Sequence, residues 1–314
     1  TLSITAAKSG FAADNAIDAV GRLVEIPLEI PVEGDDSVRF LFPSHLRPRL
    51  PRRNFATHKG AAGRVTIVAG SRGLTGAAIL TATGASNTGA GLTTLCVDSG
   101  IYEIVATRCP AEVMVKPFHE LAEILETNPD VLALGPGMGT DPHPDLIELA
   151  FSHPSPAVLD ADILNAIARD SREFSGLPKN RLLTPHPGEL ARMSSKSGDR
   201  VSLTRELAGE WGLTLLYKGA RSAIASPGQP VELNTTGHSG MASGGMGDVL
   251  TGVCASLIGQ GLSTHDAACV GSWLIGRAAE IARDQSDSAP ESVTAMAMAN
   301  CLGPALRDLQ RGFL

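Results

Sequence analysis

Residues 64–97, RVTIVAGSRGLTGAAILTATGASNTGAGLTTLCV, decide the fold. RVTIVAG (64–70) is apolar on both of its faces, as a strand covered on two sides must be. The glycines of GSRGLTGAA (70–78) then break the chain, Gly76 to Gly89 run with helical period, and LTTLCV (92–97) resumes the apolar pattern. The same alternation continues through EVMVKP (112–117), VLALGPG (131–137), PAVLDAD (156–162), RLLTPHP (181–187) and LTLLYKG (213–219). Short apolar strands separated by helical segments predict an α/β fold: a central, mostly parallel sheet with helices on both faces.

Outside this stretch the pattern changes. After Lys218, RSAIASPGQPVELNT (221–235) reads as a hairpin, and a glycine-rich loop and helical segments follow. Before Arg64, TLSITAAKSG (1–10) and GRLVEIPLEIPV (21–32) read as short extended pieces, and the Pro- and Arg-rich FPSHLRPRLPRRNF (42–55) reads as a linker or arm.

With 314 residues, 43% hydrophobic and 19% charged, the chain can bury a substantial core. A formal net charge of -7 argues against nucleic acid or an anionic membrane as partner. A local phosphate site stays open, because backbone amides need no net charge. Cys96, Cys109, Cys254, Cys269 and Cys301 are scattered without CxxC spacing, which suits a reduced, cytoplasmic protein. No basic-then-apolar leader and no apolar run of about 18 residues is present, so a soluble chain is expected.

In parallel sheets ligands sit beyond the carboxyl ends of the strands. GSRGLTGAA opens a helix there without the Gly-Lys-Ser/Thr ending of a phosphate loop; it either binds an anion or packs a strand tightly on a helix. LDAD places Asp160 and Asp162 on one side if the chain stays extended, where they could hold Mg²⁺ through water; otherwise Asp162 caps a helix starting near Leu164. TPHPGEL offers His186 and Glu189, as site residues or as a helix start, and Lys218 is a point charge for phosphate or an exposed strand exit.

GHSGMASGGMGDVLTG (237–252) is the sharpest signal. A linker would not run directly into the apolar helical period of VLTGVCASLIGQGL. The glycines therefore lead to a helix N-terminus, where the amides of Gly245, Met246 and Gly247 form an anion hole. Asp248 would repel a phosphate unless it has a task, and the fitting task is to accept the proton of a hydroxyl that attacks a phosphoryl group. The alternative is an Asp that only favours the helix dipole.

Taken in order, HKGAAGRVTIVAGSRGLTGAAILTATGASNTGAGLTTL, GPGMGTDP, VLDADILN, LTPHPGELARM, LYKGARS and NTTGHSGMASGGMGDVLTG closely resemble the ADP/ATP-dependent (S)-NAD(P)H-hydrate dehydratases, a ribokinase-like family. The resemblance covers roughly residues 40 to 310, and the ordered set is far more specific than any one motif. It implies phosphorylation of the ring hydroxyl of (6S)-NADHX and (6S)-NADPHX by ADP or ATP with Mg²⁺, then loss of phosphate to regenerate NAD(P)H. It puts Ala77, Gly137, His186 and Asp248 on the hydrate, and Lys218, Gly219, Ala220, Arg221, Ser222 and Gly247 around the nucleotide, with Glu189 reaching the metal through water. A homo-oligomer, commonly a tetramer, is implied as well.

Residues 1–36 resemble the closing strands of an NAD(P)HX epimerase domain, with the dehydratase domain spanning 37–314; no epimerase activity is expected. The alternative is an arm that packs on the sheet or on a neighbouring subunit. The glycine loop departs from the family's usual NPTGNPGMATGGTGD at positions that include Thr235, His238, Ser239 and Met246 while keeping the acid and the glycines. Two rival readings are a ribokinase-fold kinase of a small hydroxymethyl compound and a non-catalytic nucleotide-binding regulator.

Overall fold

The computed structural model describes residues 1–28, 36–286 and 289–312. Ten strands form one sheet, in the order β3-β12-β11-β10-β9-β8-β7-β4-β5-β6. They are β3 (Val38–Phe40), β4 (Arg64–Val68), β5 (Leu92–Asp98), β6 (Val113–Phe118), β7 (Val131–Leu134), β8 (Ala157–Leu159), β9 (Arg181–Leu183), β10 (Thr214–Tyr217), β11 (Ala223–Ala225) and β12 (Val231–Leu233). All neighbours pair in parallel except β10 with β11 and β11 with β12, the expected hairpin.

The strands between the two edges of the sheet are buried on both faces, which is why they read as continuous apolar runs, whereas the edge strands β3 and β6 are only partly covered. In β7, Val131 and Ala133 join one core cluster while Leu132 and Leu134 join the other. The first cluster is covered by helices Thr75–Asn87, Met246–Gly259 and Thr264–Ser286; the second by Pro144–Ser152, Asp162–Arg169 and Arg200–Trp211. Helices therefore cover both faces, and the α/β expectation holds.

Two helices meet backbone to backbone. A Cβ on Gly252 would lie 1.9 Å from the Thr81 carbonyl oxygen, and one on Gly84 would lie 2.5 Å from that of Val249. Only glycine allows this approach. It sets helix Met246–Gly259 against helix Thr75–Asn87, so the N-terminus of the former has a fixed place.

The passage before Arg64 is more ordered than its composition suggests. It supplies β3, which pairs in parallel with β12 at the sheet edge. Pairing with a distant strand, not local pattern, creates this element. Strands β1 (Leu2–Ile4) and β2 (Val24–Ile26) form a separate parallel pair. Between them, Val20 and Leu23 bury in the cluster that holds Phe40, Val231 and Leu233. The expected division at residue 36 follows directly on residues 29–35, which lie outside the described ones.

The five cysteines are free. Among the described residues no helix is long and apolar enough to cross a membrane.

Candidate active site

The carboxyl ends of β8 and β10 converge with the start of helix Met246–Gly259. Asp160, at the end of β8, is 1% exposed and accepts from Lys218 Nζ at 2.6 Å and from the Thr251 hydroxyl at 2.8 Å. Lys218 Nζ also stands 3.9 Å from Glu189 Oε2. A Cβ on Gly247 would come within 3.2 Å of the same ammonium, so the lysine lies directly over the first turn of the helix.

Helix Met246–Gly259 has Gly245 as its N-cap, at φ +91°, and no side chain caps it. Its leading amides are thus available, as the anion-hole expectation requires. Asp248 sits in that first turn and faces a cavity of about 970 Å³. Burial pushes its pKa up to about 6; Asp160 adds to the rise and Lys218 opposes it. For Lys218, burial works downward, but Asp160 and Glu189 outweigh it and raise its pKa. Burial likewise raises the carboxyl of Glu189, against the pull of Lys218.

Asp160 and Asp162 do not share a side. The strand ends at Leu159, Ala161 takes a φ of +53°, and Asp162 is already the first residue of a helix. Period-two alternation fails once the chain turns. The carboxylate of Asp162 caps no helix; it accepts from Gly139 N at 2.8 Å and holds the GPGMG loop.

His186 and Glu189 form a reciprocal cap on helix Pro187–Met193. His186 Nδ1 accepts from the amides of Gly188 and Glu189, and Glu189 Oε2 accepts from His186 N at 2.8 Å. Glu189 Oε1 lies 3.2 Å from His186 Nε2. Both oxygens of Glu189 are engaged, which leaves it poorly placed for a metal. The ring of His186 still lines the cavity.

The cavity gathers His186, Glu189, Met246, Gly247 and Asp248 with the whole run Lys218, Gly219, Ala220, Arg221 and Ser222. Ala77 and Gly137 are not among its lining residues. Ala77, in the first turn of helix Thr75–Asn87, faces Gly137 in the GPGMG loop, where a Cβ on Gly137 would meet that of Ala77 at 2.7 Å. Gly70 N donates to Pro136 O at 2.8 Å and ties the loop before that helix to the GPGMG loop. Gly245 packs on Leu80, its own Cβ position being 2.5 Å from Leu80 Cδ1.

His238 braces the glycine-rich loop. Its Nδ1 accepts from Gly240 N at 3.1 Å and its Nε2 lies 3.1 Å from Ala279 O. Three residues escaped sequence reasoning. Thr251 lies one turn beyond Asp248, so i,i+3 spacing could have found it. Glu280, which accepts from Gly237 N at 3.0 Å, and Arg22, which lines the cavity, carry no local signal.

Two other features do not compete for the chemistry. A cleft of about 1190 Å³ is rimmed by Arg47, Arg52, Arg53 and Arg311. It faces the C-terminal ends of helices Thr75–Asn87 and Met246–Gly259, where arginines suit the helix dipoles and Arg53 donates to Gly89 O. The donor atoms of Glu232, His265 and Cys269 lie within 4.8 Å of one another. Arg49 already holds both oxygens of Glu232, at 2.6 Å each, so this is a hydrogen-bonded core network.

The sequence model of the NAD(P)H-hydrate dehydratase family matches residues 65–299. The chain belongs to this family. Among NAD(P)H-hydrate dehydratase relatives, it is 41% identical over 308 residues to the bifunctional NAD(P)H-hydrate repair enzyme Nnr of Moorella thermoacetica, covering 91% of this chain and 58% of that one. It is 32% identical over 262 residues to the ADP-dependent (S)-NAD(P)H-hydrate dehydratase of Neisseria meningitidis, covering 81% and 87%. The chain thus spans little more than half the length of the bifunctional relative. An ADP/ATP-dependent NAD(P)H-hydrate dehydratase of Bacillus subtilis, co-crystallised with ATP and Mg²⁺, superposes with a TM-score of 0.73 at 25% identity, over 87% of this chain and 99% of that one. A ribokinase-like superfamily protein of Enterococcus faecalis superposes with a TM-score of 0.77 at 23% identity, over 90% and 100%. The dehydratase family's fold is therefore ribokinase-like here too.

Proposed function

We propose that the chain dehydrates (6S)-NADHX and (6S)-NADPHX to NADH and NADPH at the expense of ADP or ATP. The observation that carries this is Asp248: a carboxylate on the first turn of an uncapped helix, in a cavity, with a pKa raised to about 6. Such a group is ionised at neutral pH yet basic enough to take a proton.

In the proposed first step Asp248 accepts the proton of the ring hydroxyl. The hydroxyl oxygen bonds to the terminal phosphorus as the bond to the bridging oxygen breaks, leaving ADP from ATP or AMP from ADP. The amides of Gly245, Met246 and Gly247 stabilise charge on the phosphoryl oxygens. Lys218 to Ser222 and Gly247 hold the nucleotide, and His186, Ala77 and Gly137 the hydrate. In the second step the ring nitrogen's lone pair expels phosphate from carbon, and loss of a ring proton restores the double bond. Asp248 acts only in the first step; phosphate leaves more readily than hydroxide.

Mg²⁺ would come with the nucleotide. Asp160 is taken by Lys218 and Thr251, and Glu189 by His186, so among the described residues this cavity offers no dedicated metal cage. Retention of water and phosphate ligands suits Mg²⁺ without one. We also propose that the chain works as a homo-oligomer in the cytoplasm, with residues 1–36 as an arm on a dehydratase domain of residues 37–314.

The test is to incubate the protein with NADHX, Mg²⁺ and either ADP or ATP and to follow NADH absorbance. Recovery with at least one nucleotide is expected. No recovery with either would end this reading.

A further inference from the structure

The cavity has a wall that the family match leaves out. The match begins at residue 65, yet Ile17, Asp18, Gly21 and Arg22 line the same cavity as Lys218 and Asp248. Two contacts fasten this turn, one toward each ligand-bearing loop. Arg221, in the Lys218–Ser222 loop, donates from Nη2 to Gly21 O at 2.9 Å. Arg22 Nη2 stands 3.6 Å from Glu280 Oε2, and Glu280 Oε1 accepts from Gly237 N, where the glycine-rich loop begins.

Arg221 is 4% exposed, its other partners are the Asn234 carbonyl and the Phe40 ring, whose centroid lies 5.8 Å from the guanidinium carbon, and its Nε has no hydrogen-bond partner among the described residues. A buried guanidinium held by two carbonyls and a ring face is a cation without its anion. Inside a cavity, that favours an anionic ligand. Gly21 supplies the carbonyl that orients it from a backbone of φ +57° and ψ −143°, which only glycine adopts without strain.

We propose that the Gly21–Arg22 turn is a strap that positions the Lys218–Ser222 and Gly237–Gly247 loops for an adenine nucleotide. Nucleotide affinity then depends on a segment outside the matched domain. The inference rests on the reading of this cavity as a nucleotide site.

Calorimetric titration of the full chain with ADP and with ATP, both with Mg²⁺, tests it without needing turnover. Arg22→Ala is expected to weaken nucleotide binding about tenfold, with Arg22→Lys recovering most of it. Gly21→Ala, which meets no clash, should weaken binding through backbone strain alone. In the wild-type chain, added ADP should slow amide exchange in residues 17–22. Wild-type affinity in folded Arg22→Ala, or no protection of residues 17–22 by bound ADP, would overturn the strap alone. A wild-type chain that binds neither nucleotide would overturn the proposed function as well.

Discussion

Asp248→Asn should lower activity and raise stability together. Burial lifts the Asp248 pKa from 3.8 to about 6. At about 1.4 kcal/mol for each tenfold change, keeping this carboxylate ionised in the fold costs about 3 kcal/mol. Between those two pH values the folded chain keeps a proton that the unfolded chain has released. Stability therefore falls as pH rises through the window, and the whole cost is present above it. Asparagine is neutral throughout, so the variant should be more stable by up to about 3 kcal/mol at pH 7.5 and by about half that at pH 5. Urea unfolding midpoints at the two pH values measure this. Asparagine cannot accept the hydroxyl proton, and NADH recovery should fall at least about a hundredfold, the low end for a general base. Unchanged turnover would remove Asp248 from the chemistry. A variant no more stable than the wild type at pH 7.5 would refute the account of the site's electrostatics.

Three further outcomes follow from the same geometry. With Asp248 as the proposed base, kcat/KM for the hydrate should drop as pH falls through about 6; Asp160→Asn removes the like charge and frees Lys218, so that limb should move to lower pH. A limb that stays in place would count against the coupling. Gly252→Ala puts a Cβ 1.9 Å from the Thr81 carbonyl oxygen and should cost more than the roughly 1–3 kcal/mol of ordinary overpacking, read as lost soluble yield or a lowered melting temperature. Glu232→Gln breaks the paired contact to Arg49 and the acceptor for His265 and Cys269, and should destabilise by about 3–5 kcal/mol with nucleotide affinity unchanged, since Glu232 does not line the cavity. A loss below about 1 kcal/mol would show that the network contributes little.

The sheet was legible because its inner strands are buried on both faces, so the pattern of apolar runs and glycine-broken ends maps onto β4, β5 and β7 to β10 without knowledge of partners. β3 was not, because three residues become a strand only when β12 lies beside them. The site divides in the same way. Asp248, the glycines and Lys218 stood out because a helix N-terminus and a strand end are local features. Asp160 is visible in the sequence, but not as the partner of Lys218: alternation along LDAD offers it with Asp162 as a possible Mg²⁺ pair only if the chain stays extended, and Ala161 turns it.

The pairing of Asp160 with Lys218 bears on how the site works. A lysine free in solution would meet a nucleotide as a mobile charge. Here Asp160 grips Lys218 at 2.6 Å and Thr251 at 2.8 Å, which joins the ends of β8 and β10 to the first turns of helix Met246–Gly259. The ammonium is fixed above the leading amides, and the same lysine restrains the rise in the Asp248 pKa that burial and Asp160 produce. One ion pair thus fixes the ammonium above the start of the helix and acts, with opposite signs from its two members, on the basicity that burial gives Asp248. The glycines of residues 237–252 serve that arrangement at two places: Gly247 leaves room for the lysine, and Gly252 lets the helix come close enough to Thr75–Asn87 to stay where the lysine can reach it.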